Sequence, residues 1–600
     1  MRRVVRTKDA EPAPLIAYDY ETTRIREGTP RPLYITAFGT DPAMHYESPI
    51  DSMSHLQTIL VANFLTEENR GCKFVAWNGN NFDAYFTAAA LVTHPDYVMR
   101  PYLTQSKSLR GLRVLRREDA DKKNAKGWEF LDGIAMLGLV GVKLAKLLDT
   151  FAPELPKLAD VIDFEREEFD PTNERHRAYA MRDSIGLHAA MSRAQSILVA
   201  AFNQPLTVTM GGACIRILKA HIPDDTIISP LAPVEESIIR QYVMRGGYCY
   251  CVRRYEGPVW KYDLNQAYAS AMRDAWLPAG RSMHAAKAPN ALARCYVARV
   301  ECWNSANRVP FYYRTVEGDR MCATFATTHI AETWLTSLEI EQLRSEGWRI
   351  AIRESIAWGD AFRLRDYVDR LERMRMAAPG GPSGAEGTVY KNVGNHSYGK
   401  LLEQLEPIEY VLAAEPPPGY VPTYVDGASD PLEHVYERMI DDPRPKDYHK
   451  PHVGAFITAH VRMVVRRAAL LDPDSWLYAD TDCVVFAADV SGSLDIDPKR
   501  YGAWKIEEAG TPYQIIAKKV YAEVGEESEG RKLKRSAKGL HVRELTPTQF
   551  AEWLAGVPPV QEQIQRNNFL AVMEGAEMYR KQRRQGTAVE ASTGSDGTLP

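Results

Sequence analysis

Apolar residues along the chain recur with two periods, and each change of period marks an element. Leu15-Ile-Ala-Tyr-Asp-Tyr-Glu-Thr-Thr23 predicts a strand with Asp19 and Glu21 on one face. Residues 73–77 predict a second strand, which runs through Asn78-Gly-Asn-Asn-Phe-Asp83 into an apolar helix over 84–91. Arg177-Ala-Tyr-Ala-Met-Arg-Asp-Ser-Ile-Gly-Leu187 reads as a helix with Tyr179 and Asp183 at i and i+4. Residues 259–272 read as a strand that turns into a helix, with Asp263 at the strand's end. Leu364, Tyr367, Val368, Leu371 and Met374 repeat at helical spacing, and a glycine-rich loop separates them from a helix over 390–400. A further helix is expected from Lys450, and an apolar run covers 478–487.

The chemistry lies where carboxylates interrupt these patterns. Tyr478-Ala-Asp-Thr-Asp-Cys483 sets Asp480 and Asp482 in an apolar run, which is costly unless a cation joins them. On an extended chain the two would point to one face, where a hard divalent ion finds oxygen ligands. Asp19 with Glu21 repeats the arrangement, and Asp83 is expected at a strand-to-helix junction. On the helix over 390–400, Lys391, Asn395 and Tyr398 form one stripe, in which lysine can meet phosphates and tyrosine can stack on a base. Gly246-Gly247 and Gly399 permit close backbone approach.

Composition narrows the class. A chain of 600 residues exceeds one core, and 45% hydrophobic with 25% charged residues is ordinary for a water-soluble, multidomain protein. The net charge of -4 leaves nucleic-acid binding open, because clustering of basic residues decides it. Eight cysteines without a Cys-x-x-Cys argue against a zinc ribbon or disulfide framework and point to a reducing cytoplasm. No signal peptide or membrane span is expected, and the tail from 591 is expected to be disordered.

The order Asp-x-Glu, Asn-x3-Phe-Asp, Tyr-x3-Asp resembles the three motifs of DnaQ-like proofreading exonucleases, in the form carried by family B DNA polymerases. The resemblance implies that Asp19, Glu21, Asp83 and Asp183 hold two divalent ions. Tyr179 would then orient the attacking water, Asn78 and Phe82 would contact the primer end, and Lys146 would assist. The family's Ser/Thr-Leu pair is here Gly133-Ile134.

Tyr242-Val-Met-Arg-Gly-Gly-Tyr248 resembles the Tyr-x-Gly-Gly segment that touches template DNA, with Met244 in place of a tyrosine and Arg245 as a phosphate contact. The stretch from Asp263 to Tyr268 resembles polymerase motif A, which implies metal binding by Asp263 and the Leu264 carbonyl and exclusion of a 2'-hydroxyl by Tyr268. Lys391 to Gly399 resembles motif B, with His396 replacing a serine, and Arg375 and Lys391 are the triphosphate candidates. Motif C is Tyr478 to Cys483, in which Asp482 is the bridging ligand and Asp480 a supporting carboxylate. Lys518-Lys-Val-Tyr521 matches a Lys-x-Tyr motif, so Lys519 and Tyr521 would hold the primer strand, joined by Lys538 in a basic segment.

The chain is thus identified as a member of the family B DNA polymerases of the protein-primed type found in phages and linear plasmids. The implied fold is mixed α/β and α+β. An RNase H-like exonuclease domain occupies 1–195, and a linker and the start of the palm follow at 196–257. Motif A palm lies at 258–290, an insertion resembling terminal protein region one (Leu335-Thr-x-x-Glu339) at 291–355, and fingers at 356–402. A second insertion covers 403–450, the remaining palm 451–530, the thumb 531–585 and a tail 586–600. The implied activity is dNMP addition to a primer 3'-hydroxyl with 3'-5' proofreading. It would use two magnesium ions per site, replaceable by manganese, and the protein would be a monomer. The partners are primer-template DNA, dNTPs and a terminal protein, in the host cytoplasm. The alternatives are a primer-independent or repair polymerase, or a catalytically silent DNA-binding homologue.

Overall fold

A computed structural model of the chain describes residues 1, 12–104, 106–122, 125–158, 161–162, 167–317, 320–404, 407–424, 431–440, 446–527 and 531–587. The tail expected to be disordered lies outside the described residues.

Strand Leu15–Thr22 is central to the first sheet. It pairs antiparallel with Pro32–Gly39 and parallel with Lys73–Ala76, which in turn runs parallel to Trp128–Asp132. Alternation works as the sequence predicts: Tyr18 and Tyr20 are buried while Asp19 and Glu21 face the other side. Helix Glu174–Phe202 packs across this sheet.

The sheet has ten strands, and three of them come from far along the chain. Ile408–Leu412 pairs with Tyr97–Leu103, and Val435–Met439 and Val421–Pro422 follow it to the edge. The segment read as a second insertion therefore extends the sheet of the first domain, and Lys107 Nζ bonds Tyr410 Oη at 2.8 Å across the join. Strand pairing between distant segments leaves no local pattern in the sequence.

The second large sheet has seven strands, in the order Arg535–Ala537, Val520–Glu523, Trp504–Ala517, Tyr255–Leu264, Cys483–Phe486, Trp476–Thr481, Tyr248–Cys251. The helix expected from Lys450 is Pro451–Ala469; it is buried along nearly its whole length and packs against this sheet. Two of its arginines are fully buried and each meets a carboxylate: Arg462 Nη2 lies 2.9 Å from Glu339, and Arg466 Nη2 lies 2.6 Å from Glu346. The insertion at 291–355 supplies strands Cys295–Trp303 and His329–Thr336, which join Leu277–Ala285 and Arg349–Phe362 in a four-stranded sheet. Near the C-terminus, hairpin Val560–Arg566 and Tyr579–Gln585 reaches back to the first domain, where Phe569, Leu570 and Met578 enter its core.

Candidate active sites

Two acidic sites form, one on each large sheet. In the seven-stranded sheet, Cys483 stands opposite Asp263, and Asp480 pairs with Cys483 across a hairpin. The apolar run over 478–487 is therefore two strands and not one. Thr481 has φ 63°, and the Asp482 amide donates to the Asp480 carbonyl at 2.7 Å, which closes a three-residue turn. This overturns the expectation that Asp480 and Asp482 project from one face of an extended strand. Asp482 sits at the turn and bonds the Leu264 amide through its carbonyl at 2.8 Å. Asp480 instead meets Tyr478 Oη at 3.2 Å and Lys519 Nζ at 3.5 Å.

Burial, helped by the neighbouring Asp263 charge, pushes the Asp482 carboxyl up to about 6, and burial also raises Asp263. Lys505 Nζ lies 2.9 Å from Asp263 Oδ2 and 3.1 Å from Glu507. Sequence reasoning missed Lys505, because its place opposite Asp263 depends on strand register. The surrounding cleft, about 730 Å³, is lined by Asp263, Asp480, Asp482, Lys519, Tyr521 and Lys534 among others.

Helix Ala267–Asp274 begins after Gln266, and the Tyr268 ring stacks on Tyr398 with centroids 4.3 Å apart and planes 16° from parallel. Helix Ala385–His396 carries Lys391 and Asn395, and Ser397 and Tyr398 keep helical dihedrals, so the expected stripe continues to Tyr398. Burial lowers the Lys391 pKa, and Arg375 and Lys505 add to the effect, while Asp263 opposes it. Arg375 lies 5.8 Å from the Tyr501 ring, and its Nε is buried without a hydrogen-bond partner. Gly246 and Gly399 border open space. Lys538 is exposed, and its amide bonds Lys519. The basic segment around it is partly neutralised, since Arg531 pairs with Glu523 and Lys534 with Glu508.

One expectation fails here. Arg245 is no phosphate contact: its side chain is fully buried and bonds Glu339 Oε1 at 2.5 Å and the Tyr312 carbonyl at 2.5 Å. Glu339, in the stretch that resembles terminal protein region one, forms with Thr336 the capping box of helix Ser337–Ser345, is 0% exposed, and is shared by Arg245 and Arg462. A buried carboxylate between two guanidiniums holds the molecule together and offers no surface to a partner.

The first-domain site gathers Asp19, Glu21, Asp83 and Asp183, and the charges of Asp83 and Asp183 act on both Asp19 and Glu21. Burial holds Asp19 well above the usual carboxylate range and raises Glu21 to about 7. Asp83, at the start of helix Asp83–Leu91, is raised to about 7 by burial although the Tyr20 amide donates to it at 3.1 Å. Tyr179 and Asp183 share a face of helix Glu174–Phe202, and both meet Lys157, whose Nζ is 2.5 Å from Asp183 Oδ2 and 4.9 Å from the Tyr179 ring. Lys146 is exposed on helix Leu144–Phe151, so the lysine that meets the acidic cluster is Lys157. Only the return of the chain after that helix brings it there.

Asn78, with φ 69°, and Phe82 flank the loop between strand and helix; Phe82 packs on Phe86. Asp132 was missed. It caps helix Gly133–Leu137 and accepts from the Asn78 and Asn80 amides at 3.2 and 3.3 Å. An aspartate between a strand and a helical pattern is a readable N-cap signal. Gly133, where a Cβ would strike Trp77, starts that helix. Arg566 of the C-terminal hairpin bonds the Asn81 carbonyl at 2.6 Å.

Among the described residues, no three His, Cys, Asp or Glu side chains stand as a ready metal cage. The donor chemistry nonetheless fits a hard divalent ion: oxygen ligands converge at both sites, and Asp183 Oδ1 is buried without a hydrogen-bond partner.

A family profile described as organellar and viral type B DNA polymerase matches residues 164–415. The DNA-directed DNA polymerase of Enterobacteria phage PRD1 is 25% identical over 373 residues, which are 60% of this chain and 62% of that protein. Phi29 DNA polymerase in an orthorhombic crystal form superposes with TM-score 0.72 at 15% identity, covering 96% of this chain and all of that one. The same polymerase complexed with primer-template DNA and incoming nucleotides gives TM-score 0.70 at 16% identity over 97% of this chain. The likeness is one of fold and extends along nearly the whole of this chain. With that fold along nearly the whole chain and the profile match across its middle, this chain is similar to the organellar and viral type B DNA polymerases.

Proposed function

We propose that the protein is a template-directed DNA polymerase that extends a primer 3'-hydroxyl, carries a 3'-5' proofreading exonuclease, and starts synthesis on a terminal protein. The observation that supports this reading best is the strand pairing that sets Asp482 beside Asp263 at the wall of a cleft near Lys391 and the Tyr268–Tyr398 stack. Asp263, Asp482 and the Leu264 carbonyl would hold divalent magnesium at one site; Asp19, Glu21, Asp83 and Asp183 would hold it at the other. When bound, the ions lower the pKa of the attacking oxygen and neutralise charge on the phosphate oxygens. Lys391, with Arg375 behind it, holds the triphosphate. Tyr268 closes the sugar side against a 2'-hydroxyl, and Tyr398 stacks under the new base pair. Lys519 and Tyr521 grip the primer strand, and Asn78 and Phe82 receive its end when it moves to the exonuclease.

Primer extension and degradation by the purified protein, with magnesium and labelled primer-template, test both activities; failure to extend a paired primer refutes the polymerase reading. Priming is tested by covalent transfer of labelled dNMP to a candidate terminal protein. Labelled product without any added protein or primer would point instead to primer-independent synthesis.

A further inference from the structure

The helix that carries Lys391, Asn395 and Tyr398 has a second polar stripe, Asn392 and His396, at i and i+4 on another face. Both reach the exonuclease domain. Asn392 Nδ2 donates to the Leu137 carbonyl at 2.8 Å in a buried contact, and the His396 imidazole is hydrogen-bonded to the Gly138 backbone. Leu137 closes helix Gly133–Leu137 and Gly138 is its left-handed cap, so these are carbonyls with no intrahelical donor to satisfy them. A Cβ at Gly138 would collide with the imidazole, which shows how closely the two domains meet.

The other end of this five-residue helix is capped by Asp132, whose carboxylate also holds the Asn78 and Asn80 amides. One short rigid element thus joins the back of the nucleotide-facing helix to the loop that carries Asn78 and Phe82. Helix Ala385–His396 also leans on helix Glu174–Phe202, which bears Tyr179 and Asp183, through an edge contact of Tyr390 with Phe202 at 6.0 Å.

We propose that Asn392 and His396 are positioning residues that couple nucleotide binding at Lys391 to the exonuclease loop, so that this contact sets how a primer end divides between extension and excision. The proposal rests on the polymerase and exonuclease reading above. Coupling of this kind needs a contiguous element that both sites bias, and helix Gly133–Leu137 with its two polar caps provides it.

The test uses the full chain on a primer-template ending in a dideoxynucleotide, which cannot be extended. Excision is measured as the next correct dNTP is titrated. Losing one buried hydrogen bond in Asn392→Ala or His396→Ser should raise the dNTP concentration that halves excision by about fivefold. Excision without dNTP should stay within about twofold, on the same reasoning that the acidic site is untouched. His396→Gln, which keeps an N–H near the Nε2 position, should restore the wild-type value. An unchanged half-inhibiting concentration in both variants overturns the proposal, and so does a His396→Gln protein as defective as His396→Ser, because the residue would then act by packing alone. A wild type that extends and degrades normally but shows no dNTP restraint of excision also overturns it, while leaving the functional reading intact. A wild type that does neither refutes that reading itself.

Discussion

Gly247 packs against the backbone of Thr481: a Cβ at Gly247 would lie 2.7 Å from Thr481 Cα. Thr481 is β-branched and held at φ 63°, a conformation that costs about 1–3 kcal/mol and persists only where neighbours enforce it. The strand beginning at Tyr248 enforces it, since Thr481 pairs with Tyr248. The Gly-Gly segment therefore has a role inside the protein, whatever it does with template DNA. Gly247→Ala should lower primer extension by about tenfold or more through displacement of Asp482. Degradation of a single-stranded primer should be unaffected, and steady-state assays of both activities check this.

Asp482→Ala should abolish extension, with a loss of about a thousandfold or more if several kcal/mol of metal-borne stabilisation disappear. Single-stranded degradation should persist. Asp19→Ala combined with Asp183→Ala should do the reverse. Normal extension by Asp482→Ala, or metal-dependent degradation by the double variant, would refute the assignments.

Lys157 is the test of the correction in the first domain. Its ammonium fixes Asp183 and lies over Tyr179. Lys157→Ala should reduce exonuclease activity about 10- to 100-fold, as loss of a residue orienting a ligand does. Lys146→Ala should leave it unchanged. Equal effects of the two substitutions, measured on single-stranded oligonucleotide, would count against Lys157.

Arg245→Ala should act on stability. Removing it strips Glu339 of one of two buried guanidiniums, a change that typically costs about 3–5 kcal/mol. The expected result is a lowered melting temperature; normal stability with weakened DNA binding would restore Arg245 as a phosphate contact.

The short motifs were legible because they are local. Asp19 with Glu21 on one strand, Tyr179 with Asp183 on one helix, and Lys391 through Tyr398 on another follow from periods of two and 3.6 residues. The helix from Lys450 was also legible, because burial along nearly its whole length leaves a long, mainly apolar run. Motif C was legible as chemistry and misleading as shape: two polar residues in an apolar run fit an extended strand until cross-strand pairing with Tyr248–Cys251 and Tyr255–Leu264 forces the turn at Thr481.

By itself the sequence determined which residue types would line the sites and on which local elements they would stand, since side-chain chemistry and backbone period are written residue by residue. Only the tertiary structure decided which distant residues meet: Lys505 on Asp263, Lys157 on Asp183, Arg245 on Glu339, and strands 408–439 on the first sheet. Those pairings depend on strand register, loop return and domain packing. Their stabilisation comes from burial shared among segments well separated along the chain, which no local stretch encodes.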